Sequence, residues 1–403
     1  MSYRPPQEIL DKYADLLVNY ALGGGTGLKK GELVYLQTPL SALPFYRALK
    51  KEIFDCGGHI ISSLGDDMDG FGRYFYDHAS DKQLTHFPAP YYRGLVKVVD
   101  HRIAVIADYD IHELDKVDPK KIMLAQKSRK KLSEWLDKKE NEGQYTWTLG
   151  LYGTPSMAKE ADLSLEEYWG QIINACYLDK PNPIAEWRKI SKEVERVAKK
   201  LTELKVKDLH IRGEDVDLLM TLGENRRWLG GGGRNIPSFE IYTSPDWRGT
   251  EGWIRFNQPL YYYGPKVKGI KLHFKNGRVV KSSATKNEKF LIEMLTTDKG
   301  ASQIGEFSLT DKRLSRITKF MADTLFDENM GGPYGNTHLA VGKSYTDTYT
   351  PGTRGVPKST FRRLGYNESA IHVDMISTTD RTVTATLAGG KKQVIYQNGQ
   401  FTI

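Results

Sequence analysis

Residues 31–64, GELVYLQTPLSALPFYRALKKEIFDCGGHIISSL, decide how the first half of the chain folds. GELVYLQ (31–37) has the length and apolar character of a strand. LPFYRALKKEIFDCGG (43–58) spaces its apolar side chains as a helix does and closes on Gly57, and HIISSL (59–64) returns to strand character. Strands separated by a helix of this length form a βαβ unit in a mostly parallel sheet. The pattern extends outward in both directions. QEILDKYADLLVNYAL (7–22) reads as a helix ended by Gly23, Gly24, Gly25 and Gly27. HRIAVIADYD (101–110) and YTWTLGLY (145–152) read as buried strands with a basic helix, SRKKLSEWLDKKE (128–140), between them. Helices follow at 164–177 and 183–204, and the expected α/β N-terminal domain runs over 1–205.

Residues 206–403 follow a different pattern. KDLHIRGEDVDLLMTLGENRRW (207–228) alternates apolar and polar residues as an antiparallel hairpin does. GWIRFN, KVKGIKLHF, RVVKSSA, IHVDMI, TVTATLA and KQVIYQNGQFTI add further strands, with helices expected only at 287–297 and 311–325. The expected second domain is α+β with a mostly antiparallel sheet. A chain of 403 residues suits two domains at about 150 residues each.

Composition narrows the function classes. Hydrophobic residues are 39% and charged residues 27%, enough apolar material for a sizeable core. No apolar run approaches the roughly 20 residues that span a bilayer. The opening MSYRPPQEILDKYADLL lacks the basic-then-apolar pattern of a secretory signal. Two cysteines, Cys56 and Cys176, exclude a disulfide scaffold or a cysteine-rich zinc module, and a reducing, cytoplasmic location is expected. Residues 1–200 hold 29 basic and 29 acidic side chains, and the remainder hold 29 and 21, so the whole +8 lies in the second half. Those lysines are scattered at strand spacing, as in KVKGIKLHFKNGRVVK (266–281), which suits a solvated face better than a nucleic-acid arm.

The familiar phosphate loop, nucleophile elbow and HExxH pair are absent. Gly23–Gly27 follows a helix, where glycines end helices, and Gly230–Gly233 reads as a loop. Histidine placement is more informative. Seven of nine histidines stand alone, but His372 and Asp374 in AIHVDMI lie two apart on a strand and share a face. An imidazole beside a carboxylate suits a divalent cation. Further candidates surround that pair in sequence: Glu240 in NIPSFEIYTSP, Glu306 in GEFSLT, and Asp327, Glu328, His338 and Tyr345 in TLFDENMGGPYGNTHLAVGKSY. Many carboxylates, two histidines and no cysteine favour a two-metal hydrolytic site over a structural zinc.

The stretches NIPSFEIYTSP, TEGWIRF, GEFSLT, TLFDEN, THLAVGKSY and IHVDMI together resemble the M29-type metalloaminopeptidases. YADLLVNYALGGGTGLKKGELVYLQ, YGTPSMAKEADLSLEEYW and HIRGEDVDLLMTLGENRRW extend the resemblance over nearly the whole chain. It implies removal of N-terminal residues from peptides by two divalent metals and an activated water; oxygen-rich ligands with histidine accept Zn, Co, Mn or Mg. The implied ligands are Glu240, Glu306, Glu328, His338, Tyr345, His372 and Asp374. Glu306 or Glu251, in TEGW, is the implied proton carrier, and Tyr345 the implied ligand or oxyanion partner. The resemblance also implies a homodimer acting on short peptides with a free N-terminus; the scattered lysines and the lack of long apolar runs leave no nucleic acid or membrane partner expected. One departure is visible: MGGPYGNT (330–337) makes the link from Glu328 to His338 longer than usual. Two other classes compete, a mononuclear iron dioxygenase of hydroxylated pyridines on a similar fold and a non-catalytic binding protein. The additional Glu240, Glu306 and Glu328 argue for two metals.

Overall fold

The computed structural model describes residues 3–403. Four strands, β1 (Leu33–Pro39), β2 (His59–Gly65), β3 (His101–Ile106) and β4 (Thr146–Leu151), form a parallel sheet in the order β2-β1-β3-β4. The helix Leu43–Asp55 is the crossover from β1 to β2, and it buries Phe45, Ala48, Leu49 and Ile53. The first helix spans Gln7–Leu16 and continues through a π-helical turn to Ala21. Gly23 and Gly24, both at φ 65°, then break it, as the glycine run suggested.

The remaining strands are β5 (Val206–Gly213), β6 (Val216–Thr221), β7 (Glu240–Thr243), β8 (Glu251–Arg255), β9 (Lys271–Lys275), β10 (Arg278–Ser283), β11 (Ile304–Thr310), β12 (Asn336–Gly342), β13 (His372–Ser377), β14 (Thr382–Leu387), β15 (Lys392–Gln397) and β16 (Gln400–Phe401). They build two sheets rather than one. The larger is antiparallel, in the order β10-β9-β8-β6-β5-β14-β15-β16, and the smaller runs β13-β12-β11-β7.

Two large hydrophobic cores result among the described residues, and the helix Pro183–Glu203 joins them. Its Trp187 belongs to the core of the parallel sheet, while Val194, Val197, Ala198 and Leu201 belong to the core of the antiparallel sheets. Later segments also reach back: Ile236, Phe239, Ile317, Met321 and Phe326 pack into the first core. Residues 234–236 form a short parallel bridge with β4, where Leu149 N–H donates to the Arg234 carbonyl and Ile236 N–H donates to the Leu149 carbonyl.

The expected helix at 311–325 does not form; only Thr324–Asp327 is helical there. Asp311 accepts from the Arg313 backbone and side chain, a local arrangement that competes with helix formation. The segment instead extends to place Ile317 and Met321 in the distant core. A helix at Pro119–Ser128, not expected from periodicity, starts at the Asp118 N-cap with Pro119 in the first turn.

Candidate metal centre

The four-stranded sheet explains how distant residues meet. Across it Glu306 pairs with Ala340, which pairs with Asp374; Thr310 pairs with Glu240; Ser308 pairs with His338 and Tyr242; and Gly342 pairs with His372. Paired residues share a face, so this register puts Glu240, Glu306, His338, His372 and Asp374 on one side. The other side carries Ile241, Phe307, Leu309, Leu339, Val341, Val373 and Met375, all in the hydrophobic core. One sheet is thus buried on both faces, apolar on one and ionic on the other.

Glu306 is central to the cluster. Its Oε1 lies 3.6 Å from His338 Nε2 and its Oε2 lies 3.3 Å from His372 Nε2. His338 Nε2 is also 3.1 Å from Glu240 Oε2, and His372 Nε2 is 3.4 Å from Asp374 Oδ1. Three ligand groups follow, each with its ligand atoms within 4.8 Å of one another: Glu240, Glu306 and His338; Glu306, His372 and Asp374; and Glu328, His338 and Asp374. The long 330–337 link therefore does not separate Glu328 from His338. It folds back on itself, with Asn336 Nδ2 donating to the Asp327 carbonyl. Asp327 is structural: its carboxylate accepts from the Met321 and Asp323 backbone N–H groups.

Surrounding polar groups aim these side chains. His372 Nδ1 donates to the Lys343 carbonyl at 2.7 Å, which turns the Nε2 lone pair toward the cluster. Gly305 permits that carbonyl's position, since a Cβ there would sit 2.4 Å from the Lys343 oxygen. Ser308 Oγ donates to Glu240 Oε2, and Asn235 Nδ2 donates to Glu328 Oε1. The Tyr345 ring lies 4.7 Å from the His372 ring and 5.8 Å from that of Tyr242. Tyr242 OH joins Arg234 and Asp347, and Arg234 continues to Glu140 of the helix Lys130–Asn141. Glu251 is not brought to the cluster. It sits on β8 in the larger sheet, where its carboxylate accepts from the Asn276 backbone N–H.

The electrostatics suit cations. Four carboxylates and two neutral imidazoles carry a charge of −4, which two divalent ions would balance. Burial disfavours the imidazolium of His338, yet Glu240 and Glu306 hold its pKa well above the usual range; Asp374 and Glu306 do the same for His372. Burial and the Glu240 and Asp374 charges push Glu328 well up. Burial opposes ionisation of Asp374, but His372 keeps its pKa below the usual value. Asp374 Oδ1 is buried without a hydrogen-bond partner, as a metal-ligand oxygen would be. Zinc added at neutral pH to metal-free protein should release protons, because the raised pKa values of His338, His372 and Glu328 favour their protonated forms. Calorimetric titration in buffers of different ionisation enthalpy measures that release; buffer-independent heats would contradict it.

Comparison with known proteins decides the family. The family model described as thermophilic metalloprotease (M29) matches residues 6–401. The chain belongs to the M29 metalloprotease family. This M29 chain is a metal-dependent peptide hydrolase. It is 28% identical to aminopeptidase T of Thermus aquaticus, over 98% of this chain and 99% of that one. It is also 28% identical to aminopeptidase 2 of Geobacillus stearothermophilus, over 97% of both. The solved structure of wild-type AmpT from Thermus thermophilus aligns with a TM-score of 0.81 at 27% identity, covering 98% of this chain and all of that one. The α/β-then-α+β architecture expected from the sequence is therefore the family's. No helix of the described residues is long and apolar enough to cross a membrane.

Sequence reading missed Asn235, Ser308 and Ala340. Ser308 was within reach, because it lies two residues from Glu306 on the same strand. Asn235 and Ala340 have meaning only once partners across the sheet are known.

Proposed function

We propose that this M29 chain is a dinuclear aminopeptidase acting on peptides with a free N-terminus. The carrying observation is the division of the Glu306 carboxylate between His338 and His372, which would let one carboxylate serve two ion sites. Divalent ions held there would supply a Lewis acid for the scissile carbonyl and a water acidified toward neutrality.

The chain's own residues do the rest. Glu240 and His338 would hold one ion, His372 and Asp374 the other, with Glu306 between them and Glu328 completing the shell. Burial and the Glu306 and Asp374 charges keep the Tyr345 phenol protonated, so it can donate a hydrogen bond to the developing oxyanion. Glu251, bound on another sheet, drops out as proton carrier in this reading. His338 is 1% exposed, while the side chains of His372 and Asp374 are 18% and 16% exposed. Substrate thus enters beside His372 and Asp374, and its terminal residue occupies the closed end near Glu328 and Glu240. The reading includes a homodimer and a domain division near residue 205.

Metal analysis of the purified chain tests it. Two divalent ions per chain are expected, and a single ion would remove the dinuclear reading. Ala340 offers a matching variant because its Cβ lies on the ligand face between Glu306 and Asp374. Ala340→Leu should displace the ions at a stability cost of about 1–3 kcal/mol. Full metal content in this variant would mean the ions lie elsewhere.

A further inference from the structure

The segment carrying Asn235 is fixed from both sides. Its backbone is bridged to Leu149 of β4 by the Arg234 carbonyl and the Ile236 N–H, at 2.8 and 3.1 Å. Gly233 packs so tightly on the first helix that a Cβ would lie 2.7 Å from the Ala21 carbonyl oxygen. The Asn235 side chain is therefore presented by rigid backbone. Its Nδ2 lies 3.2 Å from Glu328 Oε1. As a metal ligand Glu328 is ionised and only accepts, so in the metal-loaded protein the amide turns its NH₂ toward Glu328 and its oxygen away. That oxygen, Oδ1, is buried and accepts no hydrogen bond. An unpaired buried amide oxygen costs about 1–3 kcal/mol, a penalty that a bound donor would remove.

We propose that Asn235 recognises the N-terminal amine of the peptide. This rests on the aminopeptidase reading above. Oδ1 accepts one N–H of the terminal amine, while Nδ2 holds Glu328 in place. The chemistry selects this donor. Oδ1 cannot bind a carboxylate or a carbonyl, and its amide sits next to the Glu328 carboxylate and the acidic cluster, where a cationic or metal-polarised amine is the favoured guest. The position fits as well, since the closed end of the cluster must receive the first residue while the rest of the peptide leaves past His372. Asn235 thus ties chain-end specificity to a segment that the N-terminal sheet holds.

The test compares two ligands of equal shape, leucinamide and its des-amino analogue 4-methylpentanamide. Calorimetry measures their binding to metal-loaded native protein, Asn235→Ala and Asn235→Asp, with metal content assayed in each. The native protein should prefer leucinamide. Asn235→Ala should cut that preference about 10- to 100-fold, the worth of one hydrogen bond to a charged group. Asn235→Asp keeps an acceptor and loses the donor to Glu328, so it should hold metal less tightly while retaining the preference. A fully loaded Asn235→Ala with the native preference would reduce Asn235 to a support for Glu328 and overturn the assignment. Should the alanine variant fail to fold, loss of the preference in loaded Asn235→Asp would overturn it equally. If the native protein shows no preference at all, the aminopeptidase reading fails, and this assignment with it.

Discussion

Glu306→Gln should lower kcat/KM for peptide hydrolysis by about 10³-fold, on the order of 4 kcal/mol, with the fold intact. The side chain keeps its shape, so the effect isolates charge and lone pairs. In the native chain the two oxygens face different histidines, at 3.6 and 3.3 Å. An amide presents an oxygen to one and an NH₂ to the other, and the NH₂ cannot ligate an ion. The strand itself should tolerate the change. β11 pairs on one side with β7 and on the other with β12, and its apolar face, Phe307 and Leu309, is untouched. Circular dichroism should match the native protein, metal content should fall, and turnover should collapse. A folded variant with near-native turnover would remove Glu306 from the mechanism.

That result would test something only half legible in the sequence. Period-two alternation revealed that His372 and Asp374 share a face, and it puts Ser308, which sequence reading missed, on the same face as Glu306. It could not reveal that these two faces are the same side of one sheet. That depends on β12 pairing with both β11 and β13, strands whose ligands are separated by more than sixty residues. Register of this kind is set by packing of the opposite face in the core, which no local window contains. Glu251 shows the consequence. It has the same residue type and strand-start position as Glu240, yet β8 pairs with β6 and β9 and carries it elsewhere. The parallel sheet was easier to read, because each βαβ unit is local. The failed helix at 311–325 marks the opposite limit, since its apolar residues serve the first core rather than their own neighbourhood. Asn235 was invisible for a related reason: its value lies in an unpaired oxygen beside a residue 93 positions away.

Leu-Gly-Gly should be hydrolysed and its N-acetylated form should not, with a difference of about 10⁴-fold or more. Acetylation leaves the scissile bond unaltered and removes the charge and the lone pair of the terminal amine. It also adds bulk where this reading places the closed end of the site, beside Glu328 and Asn235. Both effects act in the same direction, and a site with a buried unpaired acceptor rejects an analogue that cannot satisfy it. The free peptide therefore gains twice, by pairing Asn235 Oδ1 and by bringing a donor to a cluster of four carboxylates. Chelation should abolish hydrolysis of the free peptide, and added divalent cation should restore it, because the carboxylates and imidazoles alone hold no acidified water. The two peptides followed side by side by chromatography separate the possibilities. Equal cleavage of both would make the chain an endopeptidase and leave the M29 metal chemistry standing. Cleavage of neither, with one bound iron and oxygen uptake on a hydroxypyridine, would replace peptide hydrolysis with ring opening.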